Sequence, residues 1–418
     1  MRFFLATEGS RGDVQPFLAL ALALKARGHE VALAATPDFA GEAERLGVSF
    51  HGFGRDVREV FREQAEVLAN PINTLRYIRD NARRSLRAQF EVLGQAKGAD
   101  LIVGASLFLA GSSVADALGV PYRYVAYTPQ LLPSAAHPPP LVPLQRLPHW
   151  VNRASWAAYG WVFNRLMRKA MNDQRAILGL PPIADVVTEM ARAALVAADP
   201  DLAPLPADIA SAGHMATGSW HLNEEHALSP EIEAFLDAGS PPVYVGFGSM
   251  PDTKPERTTR AIVDAVAAAG QRAIVCAGWS KIGHGATDQR VLAIEAAPHA
   301  KLFPRMAAVV HHGGSGTTAA ATRAGVPQIV VPHAWDQFRW AHCVEQAGIG
   351  AKSLKRTRLS APELASRIAH ALGDPGVRER AAQMGKRVRA RDGLSAAVIE
   401  LERVASSREI RTPQSRAA

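Results

Sequence analysis

Residues 307–337, AAVVHHGGSGTTAAATRAGVPQIVVPHAWDQ, constrain the fold more than any other stretch. A short apolar run, 307–310, reads as a buried strand. His311 and His312 stand at its end, followed by Gly313, Gly314, Ser315, Gly316, Thr317 and Thr318. An Ala-rich helix comes next, stopped by Gly325 and Pro327, and a second apolar strand, 328–331, delivers the loop 332–336. This is a βαβ unit, and parallel strands bring both loops to the same edge of the sheet. The glycine-rich turn and the Asp336-Gln337 pair should therefore face one crevice. Gly314, Ser315, Gly316 and Thr317 suit an anion at a helix N-terminus, with His311 as an added donor. A carboxylate beside an amide suits several hydroxyls at once. Glycines that merely close a tight turn give the plainer alternative. Neighbouring strand residues point to opposite faces, so His311 and His312 are not expected to share a metal ion.

A chain of 418 residues is long for one core and suits two domains. The pattern bears this out along its length. Strand candidates at 2–7, 30–36, 48–53, 101–105, 122–127 and 195–198 alternate with helical stretches, and the pattern restarts at 243–247 and 272–276. The fold class expected is α/β, with two Rossmann-like domains of parallel strands facing across a cleft. The domains expected are 1–215, a linker at 216–239, a second domain at 240–392, a helix at 393–405 and a disordered tail at 406–418. Two cysteines, Cys276 and Cys343, and no N-x-S/T sequon argue against a disulfide-built secreted protein. Glu8, Arg11 and Asp13 interrupt the apolar start, so a signal peptide is not expected, and the reading is cytoplasmic. A formal net charge of +8 favours anionic partners, but no nucleic-acid motif accompanies it.

Four stretches carry alternatives. The arginines at 76, 79, 83, 84 and 87 fall mostly on one helix face, ordinarily a solvated one. Residues 128–148 are proline-rich and read as an irregular loop or lid. The helix after them carries Trp156, Tyr159, Trp161 and Phe163 beside Arg153, Arg165, Arg168 and Lys169. Core packing is the default for these aromatics; substrate contact and weak peripheral membrane contact are the alternatives. Asp199-Pro200-Asp201 has the form of a metal-binding acidic pair, but its prolines favour a turn.

GSRGDVQP at residues 9–16, GFGSMP at 246–251, and VVHHGGSGTT with TRAGVPQIVVPHAWDQ resemble the family 1 glycosyltransferases, most of all the bacterial antibiotic and sterol enzymes. The resemblance implies a GT-B fold and metal-free, inverting transfer of a hexose from a nucleotide sugar, with no other cofactor. The donor would sit in the C-terminal domain and a large hydrophobic acceptor in the N-terminal one. Monomeric or weakly dimeric behaviour is expected. Asp13 stands where plant members place the histidine base, so the resemblance implies that it takes the acceptor proton; capping the first helix is its plainer role. Arg11 and Gly12 flank it on the donor side. His311 matches the phosphate-contacting histidine, Gly313 to Thr317 the phosphate turn, Ser249 a hydroxyl on the same phosphates, and Asp336 and Gln337 the sugar-gripping pair. The region 295–299 lacks the plant tryptophan that stacks on uracil, and the ribose-binding glutamate is replaced by Ala319. Trp279, Ala297 and His299 are then the residues expected beside the base, with Trp279 as stacking partner or core residue. UDP-glucose is favoured over a dTDP-deoxysugar. A nucleotide-sugar epimerase of the same architecture and a silent sugar-nucleotide-binding protein are the competing readings.

Overall fold

The computed structural model describes residues 1–57, 59–60, 71–223 and 227–407. Apolar β-rich runs end at Gly, Pro or polar residues and form two parallel sheets. The first contains β1 (Arg2–Glu8), β2 (Glu30–Ala35), β3 (Ser49–Gly52), β4 (Leu101–Ser106), β5 (Tyr122–Ala126), β6 (Leu195–Val196) and β7 (Met215–Ala216), in the order β3-β2-β1-β4-β5-β6-β7. The second contains β8 (Val243–Gly246), β9 (Ala273–Cys276), β10 (Val291–Ile294), β11 (Ala308–His311) and β12 (Gln328–Val330), in the order β10-β9-β8-β11-β12. Both orders reverse beside the first strand of the sheet, which opens a crevice at its C-terminal edge. In the first sheet β1 lies between β2 and β4; in the second β8 lies between β9 and β11. The loops after β1, β4, β8, β11 and β12 therefore meet.

Helices cover both faces of each sheet, as strands apolar on both sides require. Helix Arg11–Ala26 buries Val14, Phe17, Leu18, Leu20 and Leu24. They pack with Phe3, Leu5, Leu33 and Val103 in one core layer. That layer also receives Ala397, Val398, Leu401 and Val404 from helix Gly393–Ser406. The last helix thus returns to the first sheet, and Arg27 and His29 hold its Glu402 at 2.8 and 2.7 Å. The crossing closes through Asp201, whose carboxylate pairs with Arg391 at 2.8 Å, while Asp199 accepts from the Ser219 hydroxyl at 2.7 Å. Asp199 and Asp201 are a structural turn at the domain junction.

Some boundaries differ from the sequence reading. Met215–Ala216 is a strand of the first sheet, so the chain leaves that domain later than expected, and Trp220 still packs on Phe17. β10 was not expected: only four residues form it, and Leu292 and Ala293 are not fully buried. Of the two helical stretches expected between the strands at 48–53 and 101–105, the one that carries the arginines is seen as Pro71–Glu91; residues 58 and 61–70, and the side chains of Arg76 and Arg79, lie outside the described residues. The tail at 408–418 lies outside them too. Among the described residues, no helix is long and apolar enough to cross a membrane.

Candidate active site

At the end of β1 the chain turns at Gly9, and Ser10 caps helix Arg11–Ala26. Asp13 is the third residue of that helix. Its Oδ2 accepts the Ser10 N–H at 2.7 Å and the Ser10 hydroxyl at 3.2 Å, and its Oδ1 accepts the Ser106 hydroxyl at 2.6 Å. A Cβ added to Gly9 would lie 2.2 Å from Oδ2, so glycine is what lets the carboxylate occupy this place. Tyr127 donates to the Asp13 carbonyl at 2.7 Å and Tyr124 to the Ser106 carbonyl at 2.9 Å. Burial pushes the Asp13 pKa up, and the bonds from Ser106 and Ser10 pull it back. Asp13 therefore serves the helix end, as half of a capping box, and faces the cleft as well. Ser106 is missed by sequence reasoning, since nothing local marks a serine 93 residues away as its partner.

Opposite lies the turn after β11. Gly314 caps helix Ser315–Ala324 without any side-chain cap bond, which leaves the first-turn N–H groups open to the cleft. Gly314, Ser315, Gly316, Thr317 and Ser249 all line it. His311 and Gly313 do not, and both assignments are corrected. His311 is fully buried within the ladder, paired with Gly246 of β8 and Val330 of β12. The Gln328 amide donates to Thr322 at 2.9 Å, so its oxygen must accept from His311 Nε2–H, also at 2.9 Å. Nδ1 then accepts the Gly313 N–H at 3.1 Å, and burial holds the ring neutral, with a pKa of about 4. Both nitrogens are spent on the fold. Gly313 has φ of 93°, and an added Cβ would meet Val330 at 2.8 Å, so it shapes the turn.

His312 takes the place expected of His311. It lines the cleft between Gly248 and Gly314, and its Nδ1 has no partner. Burial keeps it neutral, with a pKa of about 3. The signal for it was strand alternation: one of the two histidines had to face away.

Asp336 caps helix Gln337–Ala347, and its Oδ2 accepts from Trp340 Nε1 at 3.1 Å. Burial lifts its pKa to about 6, the Trp340 bond opposes this, and the charge of Asp13 across the cleft adds to it. The Gln337 oxygen accepts from the backbone N–H groups of His333 and Ala334 at 2.7 and 3.0 Å, while its nitrogen faces Met250 sulfur at 3.3 Å. The carbonyl end thus shapes the loop, and the N–H end has only a weak acceptor to give up. Trp279, Ala297 and His299 line the far side, with Arg11 and Gly12 reaching from the other domain. His299 stacks on Phe303 at 4.3 Å and lies 3.2 Å from the Tyr244 hydroxyl. Burial first, and then the charge of Arg11, lower its pKa to about 4.

These residues share a cleft of about 2420 Å³ that continues into the N-terminal domain. Leu109, Leu131, Tyr159, Phe163, Leu166 and Met167 line that lobe. Glu8 enters it too, held by Ser85 and Gln89 at 2.6 Å each. The proline-rich segment and the aromatic helix border the cleft, but not through Trp156 or Trp161. Trp156 is buried and donates to the His137 carbonyl at 3.0 Å, and Trp161 is 69% exposed on the outer face. Among the described residues, no group of three or more His, Cys, Asp or Glu is placed to hold a metal ion.

The family model for the glycosyltransferase family 28 N-terminal domain matches residues 3–137, and that for the erythromycin biosynthesis protein CIII-like C-terminal domain matches 261–401. Glycosyltransferase GtfE of Amycolatopsis orientalis is 39% identical over 84% of this chain and 85% of its own. A sterol 3-beta-glucosyltransferase of Arabidopsis thaliana is 33% identical over 95% of this chain and 67% of its own. The solved structure of the kitacinnamycin glycotransferase superposes with a TM-score of 0.75 at 20% identity, covering 97% of this chain and 99% of that one, which supports the fold. With two parallel-sheet domains meeting over one cleft, and relatives of this identity spanning both, the chain belongs to the GT-B glycosyltransferases, alongside the bacterial antibiotic enzymes and the sterol glucosyltransferases.

Proposed function

We propose that the protein transfers glucose from UDP-glucose to a hydroxyl of a large apolar acceptor, with inversion and without a metal, and that Asp13 is the general base. The observation that carries this is the opposition of Asp13 to Asp336 and the helix at Ser315 across one cleft, close enough for the charge of Asp13 to act on Asp336. An alcohol becomes a competent nucleophile as its proton leaves. Asp13 takes that proton, the acceptor oxygen bonds to the anomeric carbon, and the bond to the diphosphate breaks on the opposite face, so the configuration inverts. Negative charge grows on the leaving diphosphate, where the N–H groups of Ser315, Gly316 and Thr317 and the ring of His312 receive it. Asp336 and the Gln337 N–H group hold the sugar hydroxyls, and Trp279, Ala297 and His299 line the place of the nucleoside.

Glucose is favoured because a deoxysugar would leave part of this polar set unpaired, at about 1–3 kcal/mol. The sterol-enzyme relative, named a glucosyltransferase, points the same way. Titration of UDP against dTDP tests the base, and tighter dTDP binding overturns it. A mass-spectrometric screen of both donors against sterol, polyketide and flavonoid acceptors tests the reaction, and a new sugar isomer formed without acceptor would favour an epimerase. The apolar lobe supports the transferase, since an epimerase has no acceptor to house. A cytoplasmic location is part of this proposal, and it suits the two free thiols, Cys276 and Cys343. Weak contact with anionic membranes is proposed for the outer helix face, where Trp150 and Trp161 are exposed beside Arg153, Arg165 and Arg168. Failure to sediment with anionic vesicles at low salt removes that part alone.

A further inference from the structure

Among the described residues, five other than glycine have left-handed backbone: Ser106, Leu141, Ala193, Lys281 and Trp335. Three of these, Ser106, Leu141 and Trp335, line the cleft. For Leu141, φ is 78°, and for Trp335 it is 58°. Such angles crowd Cβ against the backbone, and glycine is the residue that adopts them freely. Neither side chain is compensated by packing, because Leu141 is 50% and Trp335 52% exposed. Leu107, which follows the left-handed Ser106, is 59% exposed and also lines the cleft. Strain and uncovered apolar surface thus coincide at three loops around one opening. Strained backbone of this kind clusters at active sites and ligand clamps.

The positions in the chain identify what covers them. Leu107 directly follows Ser106, whose hydroxyl holds the Asp13 carboxylate. Trp335 directly precedes Asp336. Leu141 directly follows the run Pro138-Pro139-Pro140, and Pro140 lines the cleft beside it. Asp336, Gln337, Ser249 and the turn at Ser315 make the sugar and diphosphate end polar, and Trp279 and Ala297 stand at the nucleoside end, so the apolar faces at this opening are left to complement the acceptor. We propose that Leu107, Leu141 and Trp335 form a collar that grips the apolar skeleton of the acceptor where it leaves the lobe. Two of its members come from the N-terminal domain and one from the C-terminal domain, so a bound acceptor touches both domains. The proposal rests on the reading of the acceptor as large and apolar.

Leu141→Gly and Trp335→Gly test it, because each removes the side chain and relieves the strain together. The measurements are thermal unfolding, UDP affinity, and the KM and kcat for a sterol and for a small phenol. The expected result is an unchanged or raised Tm, UDP affinity within about twofold, and a sterol KM raised about tenfold or more, the worth of one uncovered large apolar side chain. The phenol KM should rise less, and Trp335→Phe should restore most of the sterol KM. A lowered Tm with unchanged sterol KM would make these residues packing elements and overturn the collar. Weakened UDP binding with unchanged sterol KM would assign Trp335 to the donor and overturn it equally. A wild-type protein that glycosylates no member of a sterol and polyketide panel defeats the acceptor reading itself, and the collar with it.

Discussion

Replacing the two adjacent histidines separately should give opposite phenotypes. In His311→Ala, the Gly313 N–H and the Gln328 oxygen lose their partners inside the β11–β12 ladder. Each stranded buried group costs about 1–3 kcal/mol, and the lost ring leaves a cavity besides. The two groups together, roughly 2–6 kcal/mol before the cavity is counted, are a large part of the ~5–15 kcal/mol that holds a typical domain together. His312 has no partner at Nδ1 to abandon, so His312→Ala should destabilise far less. It removes instead one N–H donor facing the diphosphate, worth about 1.5–3 kcal/mol when the acceptor is charged. At 1.4 kcal/mol per decade, UDP affinity should fall about 10- to 150-fold. Thermal unfolding gives the first quantity and calorimetric titration of UDP, well below the transition, gives the second. If His311→Ala weakens UDP binding more than His312→Ala does, the exchange of roles is refuted.

Three other outcomes follow from the site. Ser106→Ala removes the hydroxyl that stabilises ionised Asp13, so the acid limb of kcat/KM should move to higher pH by up to about one unit; an unmoved limb would separate Ser106 from the base. For Asp336, a folded pKa of about 6 against an ordinary 3.8 means that the folded state binds the proton more tightly, so this group lowers stability as pH rises between those values. Asp336→Asn should accordingly gain up to about 3 kcal/mol relative to wild type between pH ~4 and ~7, less whatever the altered Trp340 bond costs, and a relative gain on acidification would contradict the sign. EDTA should leave the wild-type rate unchanged, and strict dependence on Mg²⁺ or Mn²⁺ would contradict metal-free transfer.

The architecture is legible because parallel strands buried on both faces leave unbroken apolar runs, such as FFLA at 3–6, VYV at 243–245 and AVV at 308–310. β10 escaped because a four-residue edge strand, partly open to solvent, has no such run. Alternation along β11 showed that only one of His311 and His312 could face the cleft, but its phase is set by pairing with β8 and β12, which lies outside local sequence. The same holds for Ser106 and for helix Gly393–Ser406: their partners, Asp13 and the first sheet, are close only after folding. Trp156 and Trp161 fit an aromatic acceptor wall by composition, yet helix geometry turns one inward to His137 and the other to solvent, leaving Tyr159 and Phe163 at the cleft.

The most direct test of sugar transfer assisted by Asp13 is the single-turnover rate of Asp13→Asn on an unactivated alcohol acceptor, with donor and acceptor saturating. Asparagine keeps an oxygen for the Ser10 N–H, and its amide N–H can donate to the Ser106 hydroxyl where Oδ1 accepted from it, but it cannot take the proton. With Asp13 as the base, UDP affinity should equal that of the wild type and the rate should fall by at least about a hundredfold, the scale of a lost general base. A rate near that of the wild type, with the variant folded and UDP bound, would contradict it.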